Sequence, residues 1–97
     1  MSSKLDEALA KTHLSGLGLW WHLGPVLEKG RPYGYTDMTA EEMAIAFKRK
    51  VQRVRQGLWE LRLSKVIVKN EDGSYKCPLM LEERRQFLYA GQHRVRA

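Results

Sequence analysis

Cysteine occurs once in this chain, at position 77, and proline three times. A lone cysteine cannot close an internal disulfide, so a packed core must supply stability, and no oxidising compartment is implied. No apolar run approaches the roughly 20 residues that span a bilayer, and the opening MSSKLDEALAK carries acids where a secretory leader carries an apolar core. Internal repeats and low-complexity tracts are lacking as well. His13, His22 and His93 are scattered without ligand spacing, which argues against a metal site. No serine, cysteine or lysine has a recognisable catalytic companion, and nothing implies a cofactor or a small-molecule ligand. These gaps lead to the expectation of one cytoplasmic domain over residues 1–97 that is not an enzyme and has no membrane partner.

The most uneven shortage is of acid. Between Lys48 and Lys69 stand eight basic residues against Glu60 alone, a local charge of +7, whereas the remaining nine basic and ten acidic residues sum to −1. One segment thus carries the whole excess of the chain's +6. Solvated helix faces usually mix both signs and gain i,i+4 pairs. A one-sign stripe on a near-neutral body suits a polyanion better.

What is present reads as a succession of short helices and one hairpin. LDEALAKTHL predicts an N-terminal helix within residues 3–13, with Leu5, Ala8, Leu9 and Thr12 on one side. In LGLWWHLGPVLEKG the residues Leu19, Trp20, Leu23, Val26 and Leu27 fall at helical spacing, and Gly24-Pro25 predicts a kink or two helical pieces. GRPYGYTD reads as loop. TAEE at 39–42 forms a capping box and opens a helix that buries Met43, Ala44 and Phe47. A further helix over about 49–63 places Val51, Val54, Leu58 and Leu61 on one buried stripe, and Gly57 in it leaves room for a second helix to come close. VIVKNEDGSYKC over 66–77 predicts a β-hairpin, and LMLEERRQFLYA predicts a C-terminal helix over about 79–90, with a frayed tail at 91–97.

Helix, loop, capped helix, turn, basic helix, hairpin: in this order the stretch MTAEEMAIAFKRKVQRVRQGLWELRLSKVIV resembles the winged helix-turn-helix family. TAEEMA matches the start of the first paired helix, VQRVRQGLWEL the recognition helix, and NEDG the wing tip. LWWHLGPVLEKGRPYGYTDMTAEEMA is also similar to the phage and plasmid replication and regulatory members. The resemblance implies a mainly α fold with a small hairpin, a core over about 14–78, and an added helix at either end. It also implies a sequence-specific duplex-DNA-binding protein, a small transcriptional regulator or a mobile-element protein, nucleoid-associated when bound and gaining affinity by homodimerisation. One departure stands out: the turn between the paired helices usually carries Gly or Asn and here reads Phe47-Lys48-Arg49-Lys50.

Side-chain chemistry then assigns roles. With about 100° per residue, Gln52, Arg53 and Gln56 fall away from Val54 and are expected to read base edges. Lys48, Arg49, Lys50, Arg55, Lys69 and Lys76 are expected to hold phosphates. Trp59 and Leu63 are expected to pack on the hairpin or the terminal helix. One of the adjacent Trp20 and Trp21 belongs in the core, and Cys77 is expected to be buried at a strand end. A second functional class stays open: an interaction module, or a replication accessory protein, whose basic helix meets an acidic protein partner through the exposed aromatics.

Overall fold

A computed structural model describes residues 3–86. Helix α1 (Lys4–Ala10) begins where the Ser3 hydroxyl accepts from the Asp6 amide, and Asp6 and Glu7 place negative charge on its first turn. Its Leu5, Ala8 and Leu9 lie half-buried against the core. Helix α2 (Leu14–Glu28) runs through Gly24-Pro25 as one element, so of the two expectations, a kinked helix or two helical pieces, the second does not hold. Pro25 is exposed, and the carbonyl that loses its amide partner is that of Trp21, itself 82% exposed, so the loss falls on the wet side of the helix.

Leu19, Leu23 and Leu27, spaced by four, form the buried stripe of α2. They meet Val54, Leu58 and Leu61 of α4 (Val51–Leu63) and Met43 of α3 (Ala40–Ala46), and Val66, Ile67 and Tyr75 close the cluster. The predicted stripe of α4 holds for three of its four positions; Val51, in the first turn, is only half-buried. Each fully buried leucine contributes about 1.5–3 kcal/mol of transfer free energy.

Two glycines set the distance between α2 and α4. A Cβ on Gly57 would sit 2.9 Å from Leu19 Cβ and 2.9 Å from the Ser15 carbonyl oxygen, and one on Gly16 would sit 3.1 Å from Glu60 Cβ, besides meeting Thr12 Cγ2 ahead of α2 at 2.5 Å. The freedom that Gly57 costs the helix interior is therefore spent on close backbone approach. That approach brings Glu60 of α4 under the start of α2, where its Oε1 accepts from the Gly16 amide at 2.8 Å. His13 supplies no side-chain cap there, so Glu60 serves as the cap from another helix.

The capping box is present as the sequence indicated: Thr39 accepts from the Glu42 amide and Glu42 Oε1 from the Thr39 amide. At its other end α3 closes with a Schellman pattern, Arg49 N–H to Ala44 O and Lys48 N–H to Ile45 O, with Lys48 at φ 55°. Helix α4 ends in the same way: Val66 bonds to Leu61 O, Lys65 to Arg62 O, and Lys65 has φ 65°. A lysine stands at both sites where glycine is usual.

The hairpin region forms β2 (Val68–Lys69) and β3 (Tyr75–Lys76), joined by a turn with Gly73 at φ 90°. A third strand, β1 (Tyr35–Thr36), comes from the segment read as loop, and pairs antiparallel with β3 to give the order β1-β3-β2. The sheet is therefore three-stranded, not an isolated hairpin: β1, between α2 and α3 in the chain, flanks β3, and the connection from β1 to β2 runs through α3 and α4. Helix α5 starts at Pro78, a favoured first helical residue, and covers 78–86. The predicted helical residues 87–90 and the tail 91–97 lie outside the described residues. Boundaries otherwise shift by a few residues: α1 is shorter than 3–13, and α4 starts at Val51 with Lys50 as its cap instead of at 49. No helix among the described residues is long and apolar enough to cross a membrane.

Candidate functional site

Helix α4 turns Val54, Gly57, Leu58 and Leu61 inward, so its outer side is set by phase. Gln52, Arg55, Gln56, Trp59 and Leu63 are exposed along that side. Arg53 stands one turn before Gly57 and so lies on the flank toward α2, and Arg49 lays its guanidinium over Gly18 of α2, 3.4 Å from where a Cβ would be. Lys48 and Lys50 are exposed in the turn ahead of the helix.

Of the three expected base readers, Gln52 is exposed on the outer side with no bonding partner among the described residues. Gln56 is exposed too, but its Nε2 donates to Glu60 Oε2 at 2.8 Å. Its amide is thus engaged and must turn away to read a base. Glu60 itself is 7% exposed. Burial pushes its carboxyl up, but the bonds from Gln56 and Gly16 and the nearby His13 outweigh that and hold it below the usual carboxylate range. Beside it the Thr12 and Ser64 hydroxyls share a hydrogen bond of 2.6 Å.

The expected phosphate contacts divide. Arg55 pairs with Glu41 on α3, a surface ion pair that screening makes weak and exchangeable. Lys69 and Lys76 do not share a face. Lys69 stands opposite Tyr75 and borders the cleft between α4 and the hairpin, whereas Lys76 stands opposite Val68, on the other side of the sheet. The cleft, about 440 Å³, is walled by Arg55, Trp59, Arg62, Lys69 and Tyr75. Arg62 was missed as a site residue although it follows Arg55 by seven, two helical turns along the same side.

Trp59 and Leu63 correct a further expectation. They are 54% and 61% exposed, and Val68 of the edge strand is 41% exposed, so neither is packed away by the hairpin. With two-residue strands the sheet is too short to cover them. Burial pushes the Tyr75 hydroxyl up, opposed by Arg62 and reinforced by Glu41. Trp20 packs against Gly24 while Trp21 is outside, as adjacency on a helix requires, and Cys77 is buried with its thiol pushed up by burial. Among the described residues no three His, Cys, Asp or Glu side chains gather as metal ligands. Comparison with protein-family models, with curated proteins and with solved structures gave no match.

Proposed function

We propose that the protein is a sequence-specific duplex-DNA-binding module of winged helix-turn-helix type, with no catalytic role, that uses α4 as the reading helix and the β2–β3 turn as the wing. The observation that carries this reading is the run of exposed cations from Lys48 and Lys50 at the head of α4 to Arg55, Arg62 and Lys69 around one cleft, with Glu41 the acid that faces it. Cations of that density on one side attract a polyanion and release its counterions. Gln52, outward in the first turn, is the side chain best placed to bond an adenine edge, and Arg53 on the flank has the chemistry to bond guanine. The element order α2-β1-α3-α4-β2-β3 supports the family reading.

The two lysines in left-handed backbone support it further. A non-glycine residue there costs roughly 1–2 kcal/mol relative to its ordinary conformation. Lys48, at the end of α3, opens the basic segment and Lys65, at the end of α4, lies inside it, so each places a cation where glycine would be the more stable choice.

A second reading rests on Trp59, Leu63 and Val68. Exposed together beside Arg62 and Lys69, they would suit an acidic protein partner. Selection of bound duplexes from a random pool at stated salt separates the two. An enriched common motif is the expected result. A pool that stays random while an acidic protein is retained would sink the DNA reading and leave the interaction module.

A further inference from the structure

A second cleft, of about 410 Å³, opens between α1, α2 and α5, and none of its walls comes from the basic segment. Trp20, Trp21 and Tyr33 form its aromatic walls, and Asp6, Glu28 and Glu83 place carboxylates around them. Among the described residues none of these three acids forms an ion pair; the Lys4–Glu82 pair at 3.3 Å ties α1 to α5 at the margin instead. Glu83 is the telling group. Its Oε1 is buried with no hydrogen-bond partner among the described residues, and a carboxylate oxygen withdrawn from water without a donor is costly.

Aromatic faces attract cations through their quadrupole, most strongly for tryptophan. The same wall already shows this preference: the Arg84 guanidinium stands 4.3 Å from the centre of the Tyr33 ring. Two tryptophan rings with no cation on them and three acids without an ion pair among the described residues, one of them with a buried oxygen lacking a donor, define the chemistry of what fits. The occupant is cationic, planar or compact, and a hydrogen-bond donor, with apolar neighbours. Trp21 is 82% exposed, so the cleft is an open trough suited to a side chain on a passing segment more than to an enclosed metabolite.

We propose that this cleft docks an arginine-bearing segment of a partner protein, with the guanidinium against the Trp20 and Trp21 rings and donating to the Glu83 carboxylate, which turns an oxygen toward it on binding. The proposal is independent of DNA binding, because no residue of the α4 face takes part. It would give a DNA-bound molecule a second, oppositely charged contact.

The probe is a blocked Leu-Arg-Leu-Arg-Ala peptide, with a control in which citrulline replaces both arginines and removes the charge while keeping the shape. The indole N–H resonances of the three tryptophans report the site. Expected are saturable shifts for Trp20 and Trp21, no shift for Trp59, and no response to the citrulline peptide. Glu83→Gln and the exposed Glu28→Gln should each weaken binding, and Trp21→Ala should weaken it by about tenfold. Unchanged Trp59 resonances in each variant verify that the fold survives, and Glu28→Gln, on the surface, tests the idea even if Glu83→Gln perturbs packing. No binding, equal binding of the citrulline peptide, shifts at Trp59 alone, or self-association at the probe concentration that produces the same Trp20 and Trp21 shifts would overturn the proposal.

Discussion

The two clefts are nearly the same size, about 440 and 410 Å³, and both have tryptophan in their walls, yet they carry opposite charge. Around the first stand Arg55, Arg62 and Lys69; around the second Asp6, Glu28 and Glu83. Apolar shape alone would make them equivalent. Charge separates them into a surface that favours polyanions and one that favours cations. The chain's net charge of +6 conceals this division, since the nine basic and ten acidic residues outside the basic segment sum to only −1 and the acids of the second cleft do not show in the total.

The comparison fails if the shared core fails. Leu61 belongs to the cluster on which α2 and α4 both rest, and Leu61→Ala should lower stability by about 2–5 kcal/mol, read as a fall in denaturant midpoint. Variants that match the parent would show that the helical phase, and with it the outer face of α4, is misassigned.

Next in size is the buried cap. Glu60→Ala leaves the Gly16 amide without its acceptor and should cost about 1.5–3 kcal/mol. The acid dependence has a definite sign. Because the folded carboxyl sits below its unfolded value, its contribution is complete above the ordinary glutamate pKa and is lost as the pH falls through the lower folded value. Glu60→Gln should therefore show a shallower loss of stability on acidification, measured by denaturant unfolding at a series of acidic pH values. An identical acid limb in parent and variant would remove Glu60 from the account. Gly57→Ala should cost about 1–3 kcal/mol, because the Ser15 carbonyl and Leu19 must give way; a neutral result would mean that α2 and α4 can separate cheaply.

Smaller effects sharpen the basic side. Lys48→Gly should raise stability by up to about 1 kcal/mol through relief of the left-handed backbone, while lowering the salt slope of DNA binding by roughly one. Lys69→Ala should weaken binding to all duplexes alike, and Gln52→Ala should relax preference at one base position, a discrimination of roughly 1–3 kcal/mol. Gln56→Ala tests whether its bond to Glu60 or a base matters more. A loss of stability without change in preference favours the former.

How far the sequence revealed this depends on the range of the interaction concerned. The capping box and the Val54-Leu58-Leu61 stripe are local patterns, and the structure bears them out. Gly57 signalled a close helix correctly, because only a missing side chain explains a glycine inside such a stripe. The turn at Lys48 also announced itself, by lacking the glycine that its backbone calls for. Strand β1 did not: two residues pair only because β3 offers them an edge 39 to 41 residues away. Glu60 looked like a lone acid in a basic helix, and its partner Gly16 lies 44 residues earlier. Exposure of Trp59 and Leu63 followed from strand length, which propensity leaves undetermined. The charge asymmetry was legible in part. The basic segment is contiguous, but the acidic cleft gathers Asp6, Glu28 and Glu83 from three separate helices.

The central claim is that the α4 face is a duplex-DNA surface, and the salt dependence of binding tests it most directly. A fluorescent duplex titrated with the protein at several salt concentrations should give log K falling linearly with log salt. The expected slope is roughly −4 to −6, since about −0.9 accrues for each phosphate neutralised and the cations of that face number about five or six. A flat response, or no binding at low salt, would contradict the account.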